Sequence, residues 1–153
     1  MVRLPFLDRG YSNGPIRDFW ELDQHEVPDR PGAYILLARP GFTFMYPRRH
    51  SSVFYIGQAT SLRRRLRLHL RFAREAKFQR KDTLYWPRYE WAAAFGARYT
   101  YLLTAPRERP KRLEDDLLAM FAEHYRAWPV ANGTGGWNSL LTLQELRRRR
   151  KKV

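Results

Sequence analysis

The chain has 153 residues, 29 Lys+Arg against 15 Asp+Glu, a formal charge of +14 with its four His neutral, and is 44% hydrophobic and 15% aromatic. That composition fits one folding domain with a real core and excludes a disordered chain. No apolar run approaches the ~18 residues of a membrane helix, and no apolar leader is visible. With no Cys, disulfides, Cys-based zinc sites and thiol catalysis are excluded, and a cytoplasmic location is the expectation. Of the basic residues, 24 are Arg and five are Lys. Arg presents a planar fork suited to phosphate, so a charge of this size makes a polyanion, above all nucleic acid, the expected partner.

Residues 1–30 are polar with a short aromatic patch at Phe19-Trp20 and little periodicity, which reads as an N-terminal extension. Pro31-Gly32 signals a turn, and 33–38 reads as a strand. Residues 39–52, with Pro, Gly and a basic Arg48-Arg49-His50 cluster, read as an inserted loop or hairpin. Val53 to Gly57 is a second β-branched and aromatic strand. Thr60 or Ser61 supplies an N-cap for a helix over 61–75. Trp86, Tyr89, Trp91 and Ala92 to Ala94 suggest a short helix closed by Gly96, and 98–104 reads as the third strand. A long helix is expected over 111–127, between Pro110 and Pro129. Residues 129–139 read as irregular, 140–150 as a last helix, and Arg147 to Lys152 are six consecutive positive charges.

Helical projection puts two kinds of residue out of place. In the first helix Leu62, Leu66 and Leu70 form the apolar stripe, with Arg63, Arg64, Arg67, Arg71 and Arg74 turned away from it. Arg65 and His69 project beside the stripe, toward the rest of the fold. They are either a snorkelling arginine with a boundary histidine or a functional pair. In the second long helix Glu114 projects into the apolar face of Leu113, Leu117, Leu118 and Phe121. A carboxylate there is either a first-turn residue still in water or one that serves a cation.

The order Gly32-Ala33-Tyr34, then Tyr55-Ile56-Gly57, then a helix bearing Arg65 resembles the GIY-YIG nuclease family. The Arg lies ten residues after the second-motif Tyr, as in that pattern, and His69 stands where several restriction and homing members carry a His. Glu114-Asp115-Asp116-Leu117-Leu118 resembles the Glu-x-x-Leu-Ile segment, and Pro129-Val130-Ala131-Asn132 the closing Pro-x-x-Asn. Ala33 departs from the usual β-branched residue, and the gaps from Tyr34 to Tyr55 and from Glu114 to Asn132 are longer than usual, so Asn138 rivals Asn132.

The resemblance implies a single small α/β domain over 31–138, a three-stranded, mostly antiparallel sheet flanked by helices, followed by a basic tail over 139–153. It implies a metal-dependent endonuclease acting on phosphodiester bonds, with DNA as the expected substrate and Mg²⁺ (or Mn²⁺) as cofactor. Glu114 is the implied metal ligand and Arg65 the phosphate-binding cation. Tyr34 takes the base or water-orienting role, Tyr55 positions water and phosphate, and the two tyrosines remain interchangeable. His69 supports proton relay, and Asn132 anchors the sheet or orients a tyrosine. Arg63, Arg64, Arg67, Arg71, Arg147, Arg148, Arg149 and Arg150 are the expected nucleic-acid contacts. The alternative is an inactive basic DNA- or RNA-binding module on the same fold.

Overall fold

The computed structural model describes residues 2–78 and 87–132. The elements in chain order are β1 (Arg17–Asp18), a 3-10 turn (Leu22–Gln24), β2 (Gly32–Leu37), β3 (Phe44–Met45), β4 (His50–Ser51), β5 (Val53–Ala59), α1 (Leu62–Phe78), α2 (Pro87–Phe95), β6 (Arg98–Leu103) and α3 (Pro110–Tyr125). Asn138, the expected last helix and Arg147 to Lys152 lie outside the described residues. Among the described residues no helix is long and apolar enough to cross a membrane.

The three expected strands, β2, β5 and β6, lie side by side in one antiparallel sheet ordered β1-β6-β2-β5. The sheet has four strands rather than three, because Arg17 and Asp18 pair with Tyr99 and Arg98 at its edge. Two polar residues carry no alternation, so this strand has no sequence signature. β2 is buried along its whole length, Gly32 to Leu37. A continuous apolar run suits a strand paired on both sides and covered on both faces.

Residues 2–30 contribute to the domain's core. Leu4, Phe6, Leu7, Phe19, Leu22 and Val27 are all buried. The Phe6 ring meets Phe121 of α3 edge-on at 5.2 Å, and Phe19 meets Tyr99 of β6 at 6.0 Å. These anchors are too widely and irregularly spaced to produce a helical or strand period.

Residues 39–52 do form a hairpin, with Phe44 opposite Ser51 and Met45 opposite His50. Its basic turn is tied to the C-terminal end of α3. The Arg48 N–H donates to the Tyr125 carbonyl at 3.3 Å, and Arg49 Nη1 donates to the His124 carbonyl at 3.0 Å. A cation on the last carbonyls of a helix satisfies orphan acceptors and complements the helix dipole. Arg126, in the left-handed region at φ 63°, caps α3, which ends at Tyr125, two residues before the expected end at 127.

α1 buries Leu62, Leu66, His69, Leu70, Ala73 and Ala76. The spacing of 62, 66, 69, 73 and 76 is a helical stripe, and it draws a histidine into the line of core residues. Ser61 is the cap, its Oγ accepting the Arg64 N–H at 3.2 Å. α2 packs Trp91 and Phe95 against Phe42 and Phe44 of the hairpin segment. Gly96 then closes it at φ 77°, where an added Cβ would come within 2.8 Å of the Arg39 side chain.

Candidate active site

β2 and β5 run side by side with Tyr34 opposite Gly57 and Leu36 opposite Tyr55. Opposed residues, and residues two apart on a strand, share one face of a sheet. Tyr34 and Tyr55 therefore emerge together, their ring centroids 6.0 Å apart. A Cβ on Gly57 would lie within 2.5 Å of Tyr34 Cζ and 2.9 Å of Tyr55 Cε1. Glycine is required there because both rings lie across its Cα.

α1 covers this face. Tyr34 Oη is 2.5 Å from His69 Nε2, and His69 Nδ1 is 2.6 Å from Tyr89 Oη on α2. Tyr34 and His69 are each 2% exposed, and Tyr89 is buried as well. The chain Tyr34–His69–Tyr89 is thus closed from bulk water, while Tyr55 is half-buried. Burial pushes the Tyr34 phenol well above its ordinary value, aided by Tyr55 and opposed by Arg88 and Arg65. Tyr55 is also raised, again chiefly by burial, with Arg88 pulling it down and Glu114 pushing it up. His69 is pushed down to about 3, by burial first and then by the positive charges of Arg88 and Arg65. In the free protein, then, both phenols are protonated and the imidazole is neutral at neutral pH.

Arg88 has no counterpart among the residues singled out in the sequence. It stands at the start of α2, with its guanidinium 5.2 Å from the Tyr55 ring centroid and 5.0 Å from that of Tyr89. Its only sequence signal is position, one residue after a proline and one before an aromatic. Its meeting with Tyr55 requires the tertiary packing of α2.

Arg65 differs from the projection: it is exposed, whereas His69 one turn on is buried. The helix stripe turns with α1, so position 69 faces the sheet and position 65 faces its rim. Arg65 lines a cleft of about 190 Å³ with Ala59, Thr60, Ser61, Arg64 and Leu68. Its charge acts on Tyr34 and His69 from that rim.

Glu114 lies just beyond the first turn of α3, so it is not the first-turn residue still in water. It is half-buried, its side chain 16% exposed, and Lys111 Nζ donates to its Oε1 at 2.9 Å. Burial raises its carboxyl and the Lys111 ammonium lowers it, the net shift being upward. The same lysine also reaches Asp115 at 3.0 Å. Among the described residues, no three His, Asp or Glu side chains gather into a metal-binding group. One half-buried carboxylate fits a hard cation such as Mg²⁺, which keeps most of its waters and takes few protein ligands. The fit requires Lys111, which is 61% exposed, to swing off the carboxylate.

The Asn132 side chain hydrogen-bonds to the β5 backbone and not to a tyrosine hydroxyl. Its Nδ2 donates to the Ile56 carbonyl and its Oδ1 accepts the Ile56 N–H, both at 2.8 Å. This clamp fastens the edge of β5 between Tyr55 and Gly57. The Ala131 N–H adds a bond to the Phe54 carbonyl at 2.9 Å.

The expected nucleic-acid arginines divide. Arg64 and Arg67 are exposed. Arg63 is half-buried and its Nε donates to the Val27 carbonyl at 2.8 Å. Arg71 faces solvent beside Glu75 at 3.6 Å.

Tyr34 thus meets both Tyr55 and His69. The charge of Arg65 acts on Tyr34 and His69 and that of Glu114 on Tyr55, whereas Asn132 acts on the β5 backbone. Comparison of the chain with protein-family models, with curated proteins and with solved structures finds no match.

Proposed function

We propose that this chain is a metal-dependent endonuclease that hydrolyses phosphodiester bonds in DNA. The observation that carries this reading is the pairing of two phenols, Tyr34 and Tyr55, on one sheet face, with the Arg88 guanidinium 5.2 Å from the Tyr55 ring and His69 hydrogen-bonded to Tyr34. Phosphodiester hydrolysis needs an oriented water, fixed positive charge against the phosphate, and stabilisation of the leaving oxygen. The GIY-YIG-like order of motifs adds to this reading.

In the proposed reaction Tyr55, whose half-buried ring is the one nearer solvent, orients the attacking water. Tyr34 holds the second phenol in place and links it to His69. Arg65 at the cleft rim pairs with a phosphate oxygen, and Arg88 lowers the cost of charge on either phenol. Glu114 would hold Mg²⁺ (or Mn²⁺), which when bound supplies Lewis-acid charge against the phosphate and the leaving oxygen. Arg64, Arg67 and the basic stretch Arg147 to Lys152 supply contacts along the DNA backbone.

The Lys111–Glu114 ion pair favours a second reading, a basic nucleic-acid-binding module without cleavage. Supercoiled plasmid, single-stranded DNA and RNA incubated with Mg²⁺, with Mn²⁺ and with chelator separate the two. Cleavage that needs the divalent cation and is lost in Glu114→Gln, with DNA binding retained, supports the nuclease. Wild-type protein that binds but never cuts, or a Glu114→Gln variant that cuts as well as wild type, overturns it.

A further inference from the structure

α2 lies outside the motifs that suggested a nuclease, yet it reaches into the centre of the site. Tyr89 is 4% exposed, and its ring lies 5.4 Å from the His69 imidazole and 5.5 Å from Phe72. Its hydroxyl is 2.6 Å from His69 Nδ1, while the opposite nitrogen, Nε2, is 2.5 Å from Tyr34 Oη.

A neutral imidazole carries one N–H and one bare nitrogen. One of the two phenols must therefore donate to His69 while the other accepts from it. The hydrogen bond at Nδ1 consequently decides what Nε2 presents to Tyr34. With burial this deep, no solvent competes for either nitrogen, so the two hydroxyls set the ring's tautomer and join the packed rings of Tyr34 and Tyr89 in fixing its rotation.

We propose that Tyr89 is a positioning residue: through His69 Nδ1 it fixes the imidazole tautomer and orientation, and so sets the hydrogen bond that His69 makes to Tyr34. The catalytic side of this proposal rests on the nuclease reading; the orientation of His69 does not. Tyr89 touches neither water nor substrate in this scheme and acts through the imidazole, while its ring also lies 5.0 Å from the Arg88 guanidinium. His69 thereby joins a helix outside the recognised motifs to the phenol pair.

Tyr89→Phe tests this, because it removes one oxygen and keeps the ring that packs on Phe72. Phe72→Leu is the companion variant, disturbing the packing while leaving the hydroxyl. The first readout is the ¹⁵N signal pair of the His69 ring, assigned by its absence in His69→Gln. In Tyr89→Phe the two nitrogens should move toward a mixture of tautomers, and in Phe72→Leu they should stay as in wild type. The second readout is plasmid cleavage, where Tyr89→Phe should lower kcat by roughly tenfold or more with KM unchanged. Unchanged His69 nitrogens in Tyr89→Phe, or the same change in Phe72→Leu, overturn the positioning role. Altered nitrogens with wild-type kcat overturn its catalytic consequence. Absence of cleavage by wild type overturns the nuclease reading instead, and the nitrogen signals still decide what Tyr89 does to His69.

Discussion

Tyr34 of β2 stands directly opposite Gly57 of β5, and a methyl group at 57 would come within 2.5 Å of the tyrosine Cζ. The glycine is the floor on which the phenol ring lies. Its neighbour Ile56 is clamped from outside by both polar atoms of Asn132, so the floor cannot slide. Gly57→Ala should therefore displace Tyr34 and destabilise the fold by about 1–3 kcal/mol, the usual cost of overpacking. Urea unfolding measures the stability, and the ¹⁵N signals of His69 report the displaced ring. A variant as stable as wild type, with His69 unmoved, would show that the ring has room to retreat.

The His69 imidazole is pushed down to about 3, chiefly by burial. In the unfolded chain its pKa is near 6.5. Between those values the unfolded state binds the proton and the folded state does not, so stability rises with pH there. The contribution is complete above about pH 6.5 and is lost as pH falls toward about 3. His69→Gln, which cannot take up a proton, should flatten this limb. Urea midpoints at pH 7, 5 and 4 check it: wild type should lose more stability across the series than the variant.

Arg88 opposes the burial that raises Tyr34 and Tyr55. Arg88→Met should move both phenols further up, and Arg88→Lys should restore much of the difference because it returns the charge. An alkaline titration followed through ¹³Cζ-labelled tyrosine reads the two sites directly. On the nuclease reading, Arg88→Met also lowers turnover by about 100-fold, the scale for losing a fixed donor at a developing charge. Tyrosine titrations identical to wild type would remove Arg88 from the site.

The arginines of α1 should separate by function. Arg64→Gln and Arg67→Gln change exposed side chains and should each reduce the salt slope of DNA binding by about 1, with folding unchanged. Arg63→Gln removes the bond to the Val27 carbonyl and should cost about 1 kcal/mol of stability. Salt-dependent DNA titrations and urea unfolding make the comparison. Salt slopes in Arg64→Gln and Arg67→Gln equal to that of wild type would place the DNA path away from this helix.

The sequence by itself determined the central strands, the helices and the order in which they occur. Each carries a period or a run: Leu62, Leu66 and Leu70 at helical spacing, an unbroken apolar stretch at Ile35 to Leu37, and Pro110 opening α3. Local pattern also singled out Arg65, His69 and Glu114, because a polar residue beside an apolar stripe is visible in projection. Only the tertiary structure decided what those residues meet. β1 is two polar residues made into a strand by the free edge of β6. Phe6 and Phe19 join the core across sequence separations that no local period encodes. His69 is buried and Arg65 exposed because the direction of α1 over the sheet is set by everything packed against it. Arg88 and Tyr89 enter the site for the same reason: α2 is a short helix with little apolar bias, and its place comes from the aromatic cluster of Phe42, Phe44, Trp91 and Phe95. Periodicity is a local property of the chain, whereas a site is made by side chains from distant segments, and their meeting is fixed by packing.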